Sequence, residues 1–212
     1  MSAYADQEEL DKLKAWWKNY GSSVIFGVLL GAAILIGFRY WTHYTEQRLQ
    51  AASVLYDRMM QDFYSKKLQT ARQSGESLLK DSSSTPYAGM AGLMLARMDF
   101  EAGDAAGGRK HLQWVVEHAK DAATMHAARL RLARINLDSG DKQAALVLLE
   151  VKDLAGFEAE YAELKGDIYL AQGQREQARA AYREALKQLP AGSPYAPVLN
   201  MKLDDLGPEK SS

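Results

Sequence analysis

The sequence predicts an all-α protein in which a single N-terminal transmembrane helix precedes an α-solenoid of helical hairpins that ends in a C-terminal capping helix. Three observations support this fold class: a long uncharged segment near the N-terminus, a glycine that recurs at the length of a helical hairpin, and prolines that all fall in expected loops or first helical turns. The chain has 212 residues, of which 47% are hydrophobic, enough for one soluble domain and a small additional element.

The uncharged segment runs from Asn19 to Phe38, and 20 residues of helix rise about 30 Å, the thickness of the hydrocarbon core of a bilayer. Adding the aromatic border that follows, we assign residues 19–41 to the transmembrane helix. A cleaved signal peptide and a buried core helix are the alternatives, but the run is too long for a signal peptide and Arg39 follows it instead of small residues. Aromatic side chains of the kind that favour the headgroup region stand at both borders: Trp16, Trp17, Tyr20, Phe38, Tyr40, Trp41 and Tyr44.

The orientation of this helix is not decided by charge, because three lysines precede it and three arginines follow it within 20 residues. Large downstream domains translocate with little regard to charge, so we expect residues 1–18 to form a cytoplasmic tail and the domain to lie outside. The charged residues of this tail indicate either an amphipathic segment that lies before the membrane helix or a binding site for a cytoplasmic partner. Gly27 and Gly31 form a small-residue face that would let a second helix approach, although such spacings also arise by chance.

A repeat domain is predicted over residues 42–206, with a flexible C-terminal tail at 207–212. Apolar residues at helical spacing predict a first hairpin, and a serine-rich loop follows from Asp81 to Pro86. Three glycines with polar neighbours then recur at intervals of 37 and 33 residues, each supplying a left-handed turn at a helix C-terminus: Gly103, Gly140 and Gly173. A large apolar residue stands nine positions after each: Leu112, Leu149 and Tyr182.

These intervals are typical of the tetratricopeptide repeat, a helix-turn-helix unit. The last copy has the order of small, aromatic and terminating residues of that signature: Gly166, Tyr169, Ala178, Tyr182, Ala185 and Pro190. Ala162 and Lys165 depart from its leading tryptophan and leucine. Ser193-Pro194 is predicted to start a final helix that caps the array, and Gly207-Pro208 to end it. The apolar face of that helix is Tyr195, Leu199, Leu203 and Leu206.

Composition excludes several classes of function. A net charge of −1 gives no basic excess for nucleic acid, and the absence of cysteine excludes disulfides and thiolate sites. No catalytic or phosphate-binding motif is present, so we expect no enzyme, cofactor, metal or small-molecule substrate. The three histidines of the repeat region are expected in surface or second-layer positions, and four aspartates on solvated faces and caps: His111, His118, His126, Asp57, Asp62, Asp99 and Asp104.

Tetratricopeptide arrays bind extended or helical peptides on the concave surface formed by the first helix of each pair. Alignment of the repeats predicts a groove lined by apolar residues and two arginines: Met90, Leu93, Arg97, Phe100, Ala127, Leu130, Arg134 and Leu137. The last repeat contributes Glu160, Glu163 and Asp167, so the groove would change from basic to acidic along its length. The alternative is that a neighbouring helix covers these leucines.

The chain resembles the YfgM family of bacterial inner-membrane proteins, which are ancillary subunits of the SecYEG translocon. The likeness extends over nearly the whole chain and is most specific in four blocks: Ala15-Trp16-Trp17-Lys18-Asn19-Tyr20-Gly21, Gly27-Val28-Leu29-Leu30-Gly31, Ile36-Gly37-Phe38-Arg39-Tyr40-Trp41 and Leu130-Arg131-Leu132-Ala133-Arg134. The resemblance implies a cytoplasmic N-terminus, a periplasmic tetratricopeptide-like domain, and association with the translocon and the membrane-anchored chaperone PpiD. It also implies that the pair assists secreted or outer-membrane proteins as they emerge.

These implications lead to the expectation of a non-enzymatic adaptor in the inner membrane, with the lipid bilayer, the translocon, PpiD and secreted client chains as partners. Two alternatives remain: an envelope assembly scaffold that uses the same groove, and a membrane-anchored regulator that faces the cytoplasm.

Overall fold

The computed structural model describes residues 2–207, except for the side chains of residues 2–13, 15, 23 and 24. The described chain is almost entirely helical and contains no β-strand over that range, which confirms the predicted all-α class. It divides into two compact units, residues 1–50 and 51–212, and the boundary falls within the first helix. The charged side chains of the N-terminal tail before Lys14 lie outside the described part.

Helix α1, Ser2–Tyr64, contains the long apolar segment. Within the described residues, its Trp16–Tyr64 portion is the one helix long and apolar enough to cross a membrane, judged by length and composition. The helix does not end at residue 41 but continues without a break to Tyr64, because the sequence from Phe38 to Tyr64 contains neither glycine nor proline. The expected long N-terminal apolar helix is therefore confirmed, and it supplies the first helix of the repeat domain as well.

The second unit consists of helical hairpins in chain order, followed by one last helix. Its helices after α1 are α2 (Leu68–Asp81), α3 (Pro86–Glu101), α4 (Ala105–His118), α5 (Ala122–Asp138), α6 (Lys142–Leu148), α7 (Glu158–Ala171), α8 (Arg175–Gln188) and α9 (Ala196–Asp204). Four apolar cores follow one another along the array, and each is built from consecutive helices. This is the packing of a solenoid, in which each repeat contacts its neighbours, and it confirms the tetratricopeptide-like architecture.

The turns after α3, α5 and α7 share one geometry. Gly103, Gly140 and Gly173 have φ values of +81°, +86° and +79°, in the left-handed region that glycine adopts without steric cost. The amide of the residue after each glycine donates to a carbonyl five residues earlier, with N···O distances of 2.8, 2.9 and 2.9 Å. This hydrogen bond closes a Schellman-type C-cap, so the recurring glycines were a correct prediction of the repeat boundaries.

Small residues of the signature allow the helices of a pair to approach closely. At Gly166 in α7, an added Cβ would lie 2.4 Å from the ring of Tyr182 in α8. Tyr182 is 1% exposed, so its ring has no room to move away. The glycine and the aromatic residue of the signature therefore form one packing unit.

The second repeat differs from the other two in its second helix. Helix α6 has 7 residues, whereas α4 and α8 have 14 each, and residues 149–157 form an irregular loop. The Asp153 side chain accepts a hydrogen bond from the Ala155 amide at 3.0 Å, and Ala155 and Gly156 both have positive φ. A local turn of this kind competes with helix propagation, which explains why the periodic apolar residues here do not form a full helix.

Helix α9 begins at Ala196 with Pro197 in its first turn, so the predicted start at Ser193-Pro194 is two residues too early. The Tyr195 amide donates to Ser193 Oγ at 3.3 Å in the preceding turn, and the Tyr195 side chain is 41% exposed. The prediction that Tyr195 belongs to the apolar face is therefore wrong. Leu199 and Leu206 are buried in the last core as expected, while Pro208 lies beyond the described chain.

Candidate functional site

A groove lies between α3 and α5, with a volume of about 670 Å³, and Tyr56 near the end of α1 stands at its border. We call this surface the α3–α5 groove. The apolar side chains that line it come mainly from the two first helices of adjacent repeats: Met90, Leu93, Met94, Phe100, Leu112 and Ile135. A concavity of this size and composition is suited to apolar side chains of a binding partner.

The structure places the predicted groove residues in two groups. The four from α3 (Met90, Leu93, Arg97 and Phe100) and Arg134 from α5 line the α3–α5 groove together. Leu130 does not, because it is 4% exposed in the core formed by α5, α6 and α7. Leu137 packs half-buried against that same core, and Ala127 is also half-buried away from the groove. The placement of Leu130, Leu137 and Ala127 on this surface is therefore wrong.

The error follows from the direction in which each helix faces. Leu93 and Leu130 are equivalent by sequence, and each faces the next repeat along the chain, so Leu93 faces α5 while Leu130 faces α7. The opposite side of α5 faces α3, and it carries Arg131 and Ile135, which sequence alignment missed. The sequence does contain one indication of this second surface, because Ile135 is apolar but does not lie on the helix face that contains Leu130 and Leu137.

The arginines of the groove differ in whether they have a hydrogen-bonding or ion-pair partner. Arg97 Nε donates to Glu101 Oε1 at 2.7 Å, and the Arg97 guanidinium lies 5.2 Å from the centre of the Phe63 ring. Arg131 and Arg134 are exposed and have no hydrogen bond or ion pair within residues 2–207. The groove therefore presents two unneutralised positive charges beside its apolar floor.

The predicted acidic end of the groove is not open. Glu163 is 4% exposed, and its Oε1 accepts from Lys202 Nζ at 2.7 Å and from the Tyr195 hydroxyl at 2.8 Å. Lys202 also donates to both oxygens of Asp167, at 2.7 and 3.0 Å. The prediction that Glu163 and Asp167 extend an open groove is wrong, because α9 brings a cation onto both carboxylates, while Glu160 remains exposed.

This cluster changes the acidity of its members. For Lys202, burial lowers the pKa, but the hydrogen bonds and charges of Asp167 and Glu163 outweigh burial, and the net result is a raised pKa. Burial and the hydrogen bond to Asp167 raise the pKa of Tyr182 far above its usual value. Burial and the hydrogen bond to Glu163 raise the pKa of Tyr195. The lysine therefore stays protonated and both phenols stay neutral at physiological pH.

Asp99 was predicted on a solvated face, and this is wrong. It is 1% exposed, and its Oδ1 and Oδ2 lie 2.6 Å from Arg72 Nη1 of α2 and His111 Nδ1 of α4, respectively. His111 Nε2 lies 3.1 Å from Glu76 Oε1. These contacts connect α2, α3 and α4, so the cluster fixes the first hairpin to the second. Asp104 does cap α4 as predicted, accepting from the Gly107 amide at 2.8 Å.

His126 is the buried histidine of the array. It is 1% exposed, its Nδ1 lies 2.8 Å from the Tyr161 hydroxyl oxygen, and its ring stacks on Phe157. Burial and the charge of Arg129 lower its pKa. His126 thus belongs to the packing between α5 and α7, and not to a ligand site. Over residues 2–207, no group of three or more histidine or carboxylate side chains is arranged to hold a metal ion.

In the first unit, Gly27 and Gly31 lie one helical turn apart on α1. Apart from the adjacent residues and the helix's own backbone, no described atom lies within 4 Å of the position of an added Cβ at either glycine. Both glycines are exposed. The aromatic residues at the two borders of the apolar segment are also exposed, with values from 48% for Trp16 to 75% for Tyr40. The unit therefore presents its small and aromatic residues outward.

A family model described as "Tetratricopeptide repeat-like domain" matches residues 14–208, which is nearly the whole chain. A relative from Neisseria gonorrhoeae is 30% identical over 95% of this chain and 97% of its own length, and it is named "Ancillary SecYEG translocon subunit". Relatives with the same name from Haemophilus influenzae and Escherichia coli are 27% and 26% identical over 95% of this chain, and over 97% and 96% of their own lengths.

The match includes both the apolar helix and the repeat domain, so it is a likeness of the whole architecture and not of one repeat. The chain belongs to the YfgM family of tetratricopeptide repeat-like proteins, the family of these ancillary translocon subunits.

Proposed function

We propose that this protein is a non-enzymatic inner-membrane adaptor that associates with the SecYEG translocon and presents its repeat domain to other proteins. The observation that carries the proposal is the combination, in one chain, of an apolar helix and an open groove with full-length similarity to proteins named ancillary SecYEG translocon subunits. An adaptor needs an anchor and a binding surface, and tetratricopeptide arrays provide the latter as an extended concave surface.

The proposed topology places residues 1–18 in the cytoplasm, a transmembrane helix at residues 19–41 and the repeat domain at residues 42–206 in the periplasm. Residues 208–212 of the expected C-terminal tail lie outside the described part of the chain. The aromatic residues exposed at both borders support this division, since such rings favour the headgroup region. The Gly27–Gly31 face would contact another transmembrane helix, and its support is that both glycines are exposed and lie on the same side of the helix.

Within this proposal, the groove is the surface that would bind PpiD or a client chain, so that the pair assists secreted or outer-membrane proteins as they emerge. Its support is the apolar lining and the exposed arginines, which offer both buried area and charge to a polypeptide. The N-terminal tail is proposed as an amphipathic segment that lies before the membrane helix.

The association is tested by purifying the tagged full chain from its own cells in mild detergent and measuring the recovery of SecY and PpiD by quantitative mass spectrometry. We expect both to be enriched, and Met90→Asp to reduce recovery of PpiD while SecY is retained through the membrane helix. Glu160→Gln, an exposed change away from the groove, is the matched control. Absence of SecY from the purified material would overturn the proposal, and recovery of a cell-wall or outer-membrane assembly complex instead would favour a scaffold.

Topology is tested by thiol labelling, because the natural chain has no cysteine. We expect Lys187→Cys, which is exposed on α8, to react with a membrane-impermeant maleimide added to spheroplasts, and Ser2→Cys to react only after lysis. The reverse pattern would indicate a regulator that faces the cytoplasm.

A further inference from the structure

We propose that the α3–α5 groove binds an amphipathic α-helix of a partner protein, and that Arg131 and Arg134 select one whose flank carries carboxylates. This inference deepens the proposed function and rests on it. It concerns the secondary structure and the charge of the segment that the groove accepts.

The charge argument starts from the two arginines of α5. Residues 131 and 134 are one helical turn apart and lie on the same side of the helix, about 4.5 Å apart along its axis. Both are exposed beside the apolar lining, whereas Arg97 on the opposite wall is already bonded to Glu101 at 2.7 Å. A ligand with carboxylates three or four residues apart on a helix would bring them onto the two guanidinium groups together. Arginine is suited to this because its planar fork donates two parallel hydrogen bonds to a carboxylate.

The contrast with the last repeat supports the same conclusion. There the corresponding first helix carries Glu163 and Asp167, and the chain supplies Lys202 from α9 to neutralise them. At the α3–α5 groove no described segment supplies a carboxylate to Arg131 or Arg134. Both exposed guanidinium groups are therefore available to pair with carboxylates of a partner.

The secondary structure of the partner follows from what the groove lacks. Its lining contains no asparagine, glutamine, serine or threonine, and the backbone groups of its helical walls are bonded within their own helices. An extended segment would therefore lie on this apolar floor with few partners for its own backbone amides and carbonyls, each of which is costly to leave unsatisfied. A helix satisfies those groups internally and inserts side chains from one face, as in other helix-in-groove complexes.

The test uses the full chain in nanodiscs of neutral phosphatidylcholine and three fluorescent peptides of equal length, with fluorescence anisotropy as the readout. The first is an amphipathic helix with leucines on one face and glutamates on the flanks; the second has lysines in place of the glutamates. The third is the acidic peptide with two central residues replaced by proline, which disrupts the helix. Empty nanodiscs correct for adsorption to lipid.

We expect the acidic helix to bind about tenfold more tightly than the basic one, and about tenfold more tightly than its proline variant. Arg131→Gln/Arg134→Gln should abolish the preference for the acidic helix. Arg175→Gln/Lys187→Gln, which removes the same charge from α8, should retain it. Raising the salt concentration should weaken the acidic peptide more than the basic one.

Equal affinity for the acidic and basic peptides, or a preference that survives the arginine changes, would overturn the selection for carboxylates. Equal affinity for the proline peptide would overturn the helical partner. Ile135→Asp shows whether the groove is the binding surface at all. Loss of binding of all peptides would confirm the groove as that surface, and unchanged binding would overturn this inference, while association with SecY is tested separately by the purification.

Met90→Asp tests the same surface should Ile135→Asp lower the thermal stability. Sedimentation velocity adds one further outcome. A dimer of the full chain that dissociates when both arginines are replaced would identify the occupant as a second copy, and would overturn the proposal of a separate partner.

Discussion

The middle and the C-terminal end of the repeat domain differ in whether the surface beside a first helix is open or covered. Between α3 and α5 the first helices leave an open groove with two unpaired arginines, whereas beyond α7 the chain covers the corresponding surface with α9 and neutralises Glu163 and Asp167 through Lys202. Equivalent positions in successive repeats therefore do not all belong to an open binding surface. What packs next to a first helix determines whether its polar residues serve the protein's stability or remain free for a partner.

The largest effect is expected from Tyr182→Ala at the closed end. The change removes a side chain that is 1% exposed, that fills the space over Gly166 and that donates to Asp167 at 2.8 Å. We expect the free energy of unfolding to fall by about 3–5 kcal/mol, measured by urea denaturation followed by circular dichroism. Tyr64→Ala, at a residue that is 71% exposed, is the control and should change stability by less than about 0.5 kcal/mol. Similar losses in both variants would contradict this account of the closed end.

A smaller loss is expected from Glu163→Ala. The change leaves the ammonium of Lys202 with Asp167 as its remaining partner and the Tyr195 hydroxyl without its acceptor, in a cluster that is largely buried. The expected destabilisation is about 1–3 kcal/mol in the same assay. Glu160→Ala on the same helix is exposed and should be nearly neutral. Binding at the α3–α5 groove should be unchanged in both variants, and a loss of binding in Glu163→Ala would show that the two regions are coupled.

The turns permit a gain of stability. Asp104 and Asp141 accept hydrogen bonds from the amides of Gly107 and Ala144 at 2.8 and 3.0 Å, but Gln174, in the same backbone conformation before α8, makes no such cap. Gln174→Asp should therefore stabilise the domain by about 0.5–1 kcal/mol, with the midpoint of urea unfolding as the measure. Asp141→Ala is the reciprocal variant and should destabilise by about 1 kcal/mol. No change in either would mean that tertiary packing alone fixes these helix ends.

The smallest effect is expected in the pH dependence of stability. Burial and Arg129 depress the pKa of His126 in the folded state, against the opposing charges of Asp153 and Glu158. Its stabilising contribution is then complete above the unfolded pKa of about 6.5 and is lost as pH falls below that value, because the unfolded chain binds the proton more readily. His126→Gln should therefore lose less stability than the parent between pH 6.5 and pH 5. Equal losses of stability in His126→Gln and the parent would show that other groups cause the loss of stability at low pH.

The helices and turns are predictable from the sequence because their signals are local. Gly103, Gly140 and Gly173 are required by backbone geometry within a few residues, and the Gly166 and Tyr182 positions are fixed by contact within one hairpin. The groove was only half predicted, because the side of α5 that faces α3 is set by packing between repeats. The burial of Asp99 depends on Arg72, 27 positions earlier in the chain, and that of Glu163 on Lys202, 39 positions later. No local sequence pattern indicates ion pairs between residues so far apart in the chain.

The serial arrangement of the cores has a consequence for biosynthesis. Each core draws on consecutive helices, so it becomes complete as soon as the next helix has emerged, and the domain is able to fold vectorially from its N-terminal side. The last core is the exception, since it needs Leu206, and the guanidinium of Arg179 donates to the carbonyl of Gly207 at 2.7 Å. Removal of these last residues would therefore leave the apolar end of the array uncovered.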